Sequence, residues 1–312
     1  MARRLRAPSA RSRSVRAVRI VSLLPSATEI LFDLGAGDDV VGVTFECDHP
    51  VEARSRRIVS TSALPEGLPP AEIDAAVSAR LAAGEDLYHL DNGALAELDA
   101  DLVVTQDLCA VCAVDVSVVD DALAYLGCRA EVLTLDPQTL EEVLESILTV
   151  GTTTGRAAAA RALVAGLRAR LDAVRAAVAG REPVPVMVLE WTDPPFTPGH
   201  WVPDMVAAAG GVPVLGAAGG RSVRTSWEAV AAAAPSVVVA APCGFGLDDS
   251  ARLAGEALAA GLLPGVPLWA VDANASFARP GPRLVDGVEA LAAILHPAAG
   301  VPLDERLARR IS

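Results

Sequence analysis

Short aliphatic runs alternate with Ala-rich stretches along most of the chain, and that alternation predicts the fold. Runs at 19–24, 40–44, 102–105 and 131–135 predict four strands; runs at 184–190, 212–215, 236–241 and 267–271 predict four more. Apolar residues within each run are continuous rather than alternating, as in strands covered on both faces by helices. Between the two sets, 155–179 repeats apolar residues at Ala160, Leu163, Val164, Leu167, Leu171, Val174 and Val178, which is helical spacing. At 1.5 Å per residue that helix is about 37 Å long, enough to brace two bodies.

The second set of strands echoes the first. Ile30-Leu-Phe-Asp-Leu-Gly35 leading into Val40 resembles Met205-Val-Ala-Ala-Ala-Gly210 leading into Val212, and 95–101 leading into Leu102 matches 227–235 leading into Ser236. The following helix–strand units, ending at Asp136 and Asp272, also correspond. The expected architecture is therefore α/β, with two Rossmann-like lobes of parallel sheet joined by a single long bridging helix. Its expected boundaries are a disordered Arg-rich leader at 1–17, an N-terminal lobe at 18–137, a helical linker at 138–180, a C-terminal lobe at 181–298 and a tail at 299–312. An insert at about 45–92 is the main asymmetry. Strand C-termini in such sheets converge on one edge, so two facing lobes form a cleft there.

Composition narrows the partners. Of 312 residues, 52% are hydrophobic, which excludes a disordered chain, and no apolar run reaches the roughly 18 residues of a membrane span. The formal charge of −13 is uneven: residues 1–19 carry seven arginines and no acid, leaving 19 basic against 39 acidic residues in the body. Such a body repels phosphate backbones, so nucleic acid is not an expected partner. Every basic residue is Arg, which excludes Schiff-base and phosphate-loop lysine chemistry. The leader lacks the apolar segment of a secretory signal and a lipid-anchor cysteine, so the expected location is cytoplasmic, with reduced thiols.

Chemistry-bearing residues gather after the predicted strands. Pro25-Ser26-Ala-Thr28-Glu29 has a capping-box pattern at Ser26 and Glu29, and it also offers a helix N-terminus to a polar ligand. Gly35-Ala-Gly37 closes a helix instead of opening one, so it is not a dinucleotide fingerprint. Glu46-Cys47-Asp48-His49 follows the second strand and Gln106-Asp107-Leu108-Cys109-Ala-Val-Cys112 the third. Cys109 and Cys112 have the spacing to share one soft metal ion, with Cys47 and His49 as further ligands; a redox dithiol and plain buried thiols are the alternatives. Cys128 reads as core, and His89 and His296 as structural or solvated.

In the second lobe, aromatics that are only 4% of the chain crowd into Glu190-Trp191-Thr-Asp193-Pro-Pro-Phe196-Thr-Pro-Gly199-His200-Trp201. This pattern points to a platform for a large planar ligand. Cys243 with Phe245, and 272–277, extend the same rim. Nothing resembles a nucleophile elbow, a zincin motif or a Walker loop, so no enzymatic activity is expected.

The opening Arg19-Ile-Val-Ser-Leu-Leu-Pro25-Ser26-Ala-Thr28-Glu29-Ile30 resembles the start of the cobalamin/iron-siderophore substrate-binding proteins of ABC importers. The Gly155-Arg-Ala bridging helix and the closing 291–297 helix share the likeness, which spans roughly 18–297. Segments 46–50, 106–112 and 199–203 are similar to the cobalamin-binding branch. The resemblance implies two lobes on one rigid helix, with little hinge closure and the ligand held between them. The ligand that this resemblance implies is a cobalamin-like corrinoid, with ferric siderophore or haem as the alternatives in the same architecture. Trp191, Trp201 and Phe245 are then expected to flank the macrocycle, Ser26, Glu46, Asp48 and Gln106 to meet its amide arms, and a thiol or His200 to approach the cobalt. Pro25, Cys47, Cys109, Glu190 and Cys243 complete the expected lining. A metal-handling or thiol-redox role for Cys47, Cys109 and Cys112 is the competing reading. Importer members dock on a permease through one glutamate per lobe. Helix-to-strand spacing places the second-lobe carboxylate at Glu228, whereas its first-lobe counterpart is Gly93, with Asp91 two residues away as the alternative carboxylate.

Overall fold

The computed structural model describes residues 18–65, 67–106, 130–262 and 264–312. The first sheet takes β1 (Ile20–Ser22), β2 (Val40–Thr44), β3 (Arg57–Ser62), β4 (Tyr88–Leu90), β5 (Leu102–Gln106) and β6 (Glu131–Leu135) in the order β4-β3-β2-β1-β5-β6. The second takes β7 (Val184–Leu189), β10 (Gly211–Pro213), β11 (Val237–Ala240), β12 (Leu268–Val271) and β13 (Ala308–Arg310) in the order β10-β7-β11-β12-β13. A two-stranded ribbon, β8 (Trp191–Thr192) with β9 (Pro195–Phe196), stands apart. The parallel centres superimpose in order: β2-β1-β5-β6 in one lobe, β10-β7-β11-β12 in the other. The internal repeat read from the sequence is thus a repeat of sheet topology.

Each lobe extends its sheet on a different side. The 45–92 insert supplies β3, helix α2 (Pro70–Ala83) and β4, which pairs antiparallel with β3. Residues 299–312 were expected as a tail; they carry β13, which pairs antiparallel with β12 from Trp269 to Val271. Arginines at two of its three positions leave that edge charged, a feature that discourages further strand pairing.

Helix α1 (Pro25–Asp33) begins with proline at its first position, where a fixed φ and a missing N–H cost nothing. The expected capping box does not form: Leu24 occupies the N-cap with no side-chain bond, and Glu29 turns elsewhere. A capping box does form at α4 (Leu140–Thr153), between Thr139 and Glu142. Asp204 of the second lobe also accepts the Leu140 N–H of α4, at 3.1 Å. The bridging helix α5 (Ala157–Val178) buries Ala160, Val164, Leu167, Leu171, Val174 and Val178, as its spacing predicts. One apolar cluster runs from Ile20 and Ile30 through Ile147 and Val164 to Val206 and Leu291, so linker and lobes share a core. Smaller clusters, around Val59 and Leu95 and around Met187 and Leu268, line the outer faces of the two sheets. No helix among the described residues is long and apolar enough to cross a membrane.

Candidate functional site

The remaining second-lobe helices are α6 (Val202–Ala208), α7 (Trp227–Ala232), α8 (Leu247–Ala259), α9 (Ala273–Ser276) and α10 (Leu284–Leu295). The loops that leave β1 and β2 meet the α9–α10 segment from across the cleft. Arg279 donates to Asp48 Oδ1 at 2.5 Å, to Glu29 Oε1 at 3.3 Å and to the Glu46 carbonyl at 3.2 Å. Arg283 holds both Glu29 oxygens, one through its Nε at 2.8 Å. Glu29 is 2% exposed, so a second-lobe arginine pair neutralises a carboxylate buried in the first lobe. Burial pushes Asp48 upward, but the hydrogen bond and charge of Arg279 outweigh it and leave its carboxyl below the usual range. Burial pushes Glu46 up against the opposing charge of Arg279; its Oε2 accepts the Tyr88 hydroxyl at 3.3 Å, and Phe45 lies 6.2 Å from the Tyr88 ring.

A second set of contacts crosses at the rim. Trp191 Nε1 donates to the Pro70 carbonyl of α2 at 3.3 Å and to Asp193 O at 3.0 Å, and its ring lies 5.6 Å from that of Phe245. Arg224 pairs with Asp74 of α2 at 2.5 Å and sits over the Phe196 ring. Helix α2 buries no residue fully. The insert thus reaches over the cleft and rests on the Trp191 ribbon.

Glu190 anchors that ribbon. Its carboxylate accepts the Gly199 N–H at 2.8 Å, and its carbonyl accepts the Cys243 N–H at 3.1 Å. Burial pushes its carboxyl up to about 7, against the opposing hydrogen bonds of Gly199 and Ser222. A Cβ at Gly199 would stand 2.2 Å from the Ser222 nitrogen, so only glycine lets the two loops lie this close. His200 follows with φ 49°. Burial and then the neighbouring Arg221 push its imidazole down, with Asp136 opposing, so it is neutral at pH 7.

The structure distributes the expected residues unevenly. Glu46, Asp48, Trp191 and Phe245 stand at the junction, with Gln106 buried at the end of β5. Ser26 is buried rather than offered to a ligand, and a Cβ on Gly281 of the second lobe would lie 3.8 Å from it. Pro25 is half-buried beside it. Trp201 does not line the cleft: it is 5% exposed and its Nε1 donates to the Phe277 carbonyl at 2.7 Å, inside the second lobe. Cys47 is buried against the Thr28 hydroxyl at 3.0 Å, and burial pushes its thiol up to about 12, so it stays protonated and is a poor metal ligand. Cys243 is exposed. Cys109, Cys112 and Cys128 lie outside the described residues, among which no three of His, Cys, Asp and Glu gather to hold a metal ion. Glu228 is exposed in the first turn of α7, at the position that Gly93 holds in α3 (Asn92–Glu97). An acidic hollow of about 230 Å³ opens beside α10 and 302–307 rather than at the strand ends. Its Asp286 and Glu289 are paired with Arg170, and its Asp304 with Arg306.

Arg279 and Arg283 were missed from sequence. Their signal was available: two arginines flank Pro280-Gly281-Pro282 in an acid-rich body.

The family model described as periplasmic binding protein matches residues 20–262. The chain belongs to that family. Its members are substrate-binding proteins. Among solved structures, a periplasmic haem-binding protein from Pseudomonas aeruginosa is 23% identical, with a TM-score of 0.68, 94% of this chain covered and 98% of that one. The periplasmic vitamin B12-binding protein BtuF of Vibrio cholerae is 22% identical, with a TM-score of 0.64 and coverage of 90% and 98%. The haem-binding protein RhuT from Roseiflexus sp. RS-1 is 23% identical, with a TM-score of 0.67 and coverage of 91% and 99%. These likenesses establish the family's two-lobe fold for this chain. No curated protein matches.

Proposed function

We propose that the chain is a non-catalytic binding protein that holds a corrinoid in the cleft between its lobes. One observation carries the reading: the guanidiniums that cross the junction, Arg279, Arg283 and Arg224, are each matched by a carboxylate of the opposite lobe. What faces the ligand is then acceptor-rich, through Asp48 and Glu46, with Trp191 and Phe245 as an apolar wall. Amide arms removed from water need acceptors of this kind, whereas ligand carboxylates need free cations. A vitamin B12-binding protein and haem-binding proteins share this fold, so the fold accommodates either macrocycle and the lining is what favours the corrinoid.

The test is direct. Purified protein mixed with cobalamin should carry its colour through gel filtration with a shifted visible spectrum, and Trp191→Ala should weaken that retention about tenfold or more. A corrinoid that elutes unbound and unshifted from the wild-type protein refutes the assignment.

Haem is the second reading, favoured by the neutral imidazole of His200 beside Arg221, a pairing that suits an axial ligand and a propionate partner. Haemin in the same column assay decides between them. Within the family frame, Glu228 is the carboxylate we assign to permease docking. With Gly93 at the matching place, the first lobe presents a weaker contact there.

A further inference from the structure

Resting on the corrinoid reading, the geometry points to Asp48 as a built-in surrogate for a ligand carboxylate: by capping the cleft side of Arg279, it makes the site select amide-bearing over carboxylate-bearing macrocycles. The layering of the cluster carries the argument. Glu29 lies beneath, 2% exposed; the Arg279 side chain lies above it at 10%; Asp48 lies outermost at 38%. Asp48 is therefore the most exposed member of the cluster, and its Oδ1 already receives an Arg279 N–H. Beneath, Glu29 is held by both arginines, and the Glu46 carbonyl takes a further Arg279 donor.

A ligand carboxylate entering here meets a like charge, and a cation already paired with two carboxylates. An amide N–H instead finds the remaining acceptor capacity of Asp48. The discrimination is one of side-chain charge, and it rests on repulsion as much as attraction. Replacing Asp48 by Asn keeps the shape and removes the charge, so Arg279 keeps a positive charge on its cleft side that a ligand carboxylate can neutralise.

Dicyanocobinamide and dicyanocobyrinic acid test this, since they share a corrin ring and axial cyanides and differ chiefly in amide against carboxylate arms. Wild-type protein should prefer the cobinamide, and in Asp48→Asn the ratio of the two affinities should fall about ten- to a hundredfold. Arg279→Gln is the second arm: with the cation gone, Asp48 is a bare carboxylate and the ratio should rise. A ratio unchanged in both variants overturns the inference while leaving corrinoid binding intact. So does a wild-type preference for the carboxylate form. Failure of the wild-type protein to bind either corrin overturns the functional reading itself, and this inference with it.

Discussion

Glu29→Gln removes one charge from the most enclosed ion cluster between the lobes and changes almost nothing in volume. In the native protein the carboxylate is 2% exposed and receives Arg283 through two bonds and Arg279 through a third. With Gln in place, Arg283 loses the carboxylate it is directly paired with among the described residues, and Arg279 keeps Asp48 and the Glu46 carbonyl. Breaking a buried pair from one side costs about 3–5 kcal/mol, because the surviving charge stays out of water without a partner. Arg283 retains 22% exposure, which places the cost near the lower end, about 3 kcal/mol. Unfolding entropy of roughly 2 cal/mol/K per residue, taken over 312 residues, converts this to a fall in Tm of about 5 °C. Differential scanning calorimetry at neutral pH measures it. The shape of the transition carries equal weight: an inter-lobe tie that is lost should broaden or split a single endotherm. A variant that melts within about 1 °C of wild type, with an unchanged profile, would show that the cluster contributes nothing net and that the shared apolar core alone joins the lobes.

Glu190 makes stability depend on pH. Its folded carboxyl titrates near 7, raised by burial, while an unfolded one titrates near 4.5. Between those values the unfolded chain has already lost a proton that the native state retains, so wild-type stability falls as pH rises through that window. Glu190→Gln keeps the acceptor for the Gly199 N–H without the titration. It should therefore gain on wild type between pH 5 and pH 8 in urea titrations, and a constant difference refutes the assignment. Thiol labelling distinguishes the two described cysteines. Iodoacetamide should modify Cys243 in the native protein and reach Cys47 only in denaturant; peptide mapping that finds Cys47 labelled at the same native rate would place it outside the core.

The parallel strands at the centre of both sheets were legible because continuous aliphatic runs such as 237–240 have no other use than burial on both faces. The bridging helix was legible by its period. Strands β3, β4 and β13 were not, since each lies at or near a sheet edge and carries exposed or charged residues that break the pattern. The aromatic crowding at 191–201 reported a real structure but merged two roles: Trp191 reaches the opposite lobe, while Trp201 is fixed inside its own. Glu29 was read as a local cap because the pattern of four residues matched; a proline start and two distant arginines outcompete that local bond. Spacing along the chain cannot register a partner 250 residues away.

Among the described residues the chain passes from one sheet to the other a single time, through α4 and α5, and no strand of either sheet comes from the other half. Each sheet's described strands consequently come from one half of the sequence, and their backbone ladders record nothing about the opposite half. Across the gap itself, recognition is left largely to side chains, a few charged and aromatic groups at loop ends. Substitutions at those groups can remodel the gripping surface while both scaffolds keep their hydrogen-bonded frames, so diversification of the cargo and preservation of the architecture are separable in this molecule.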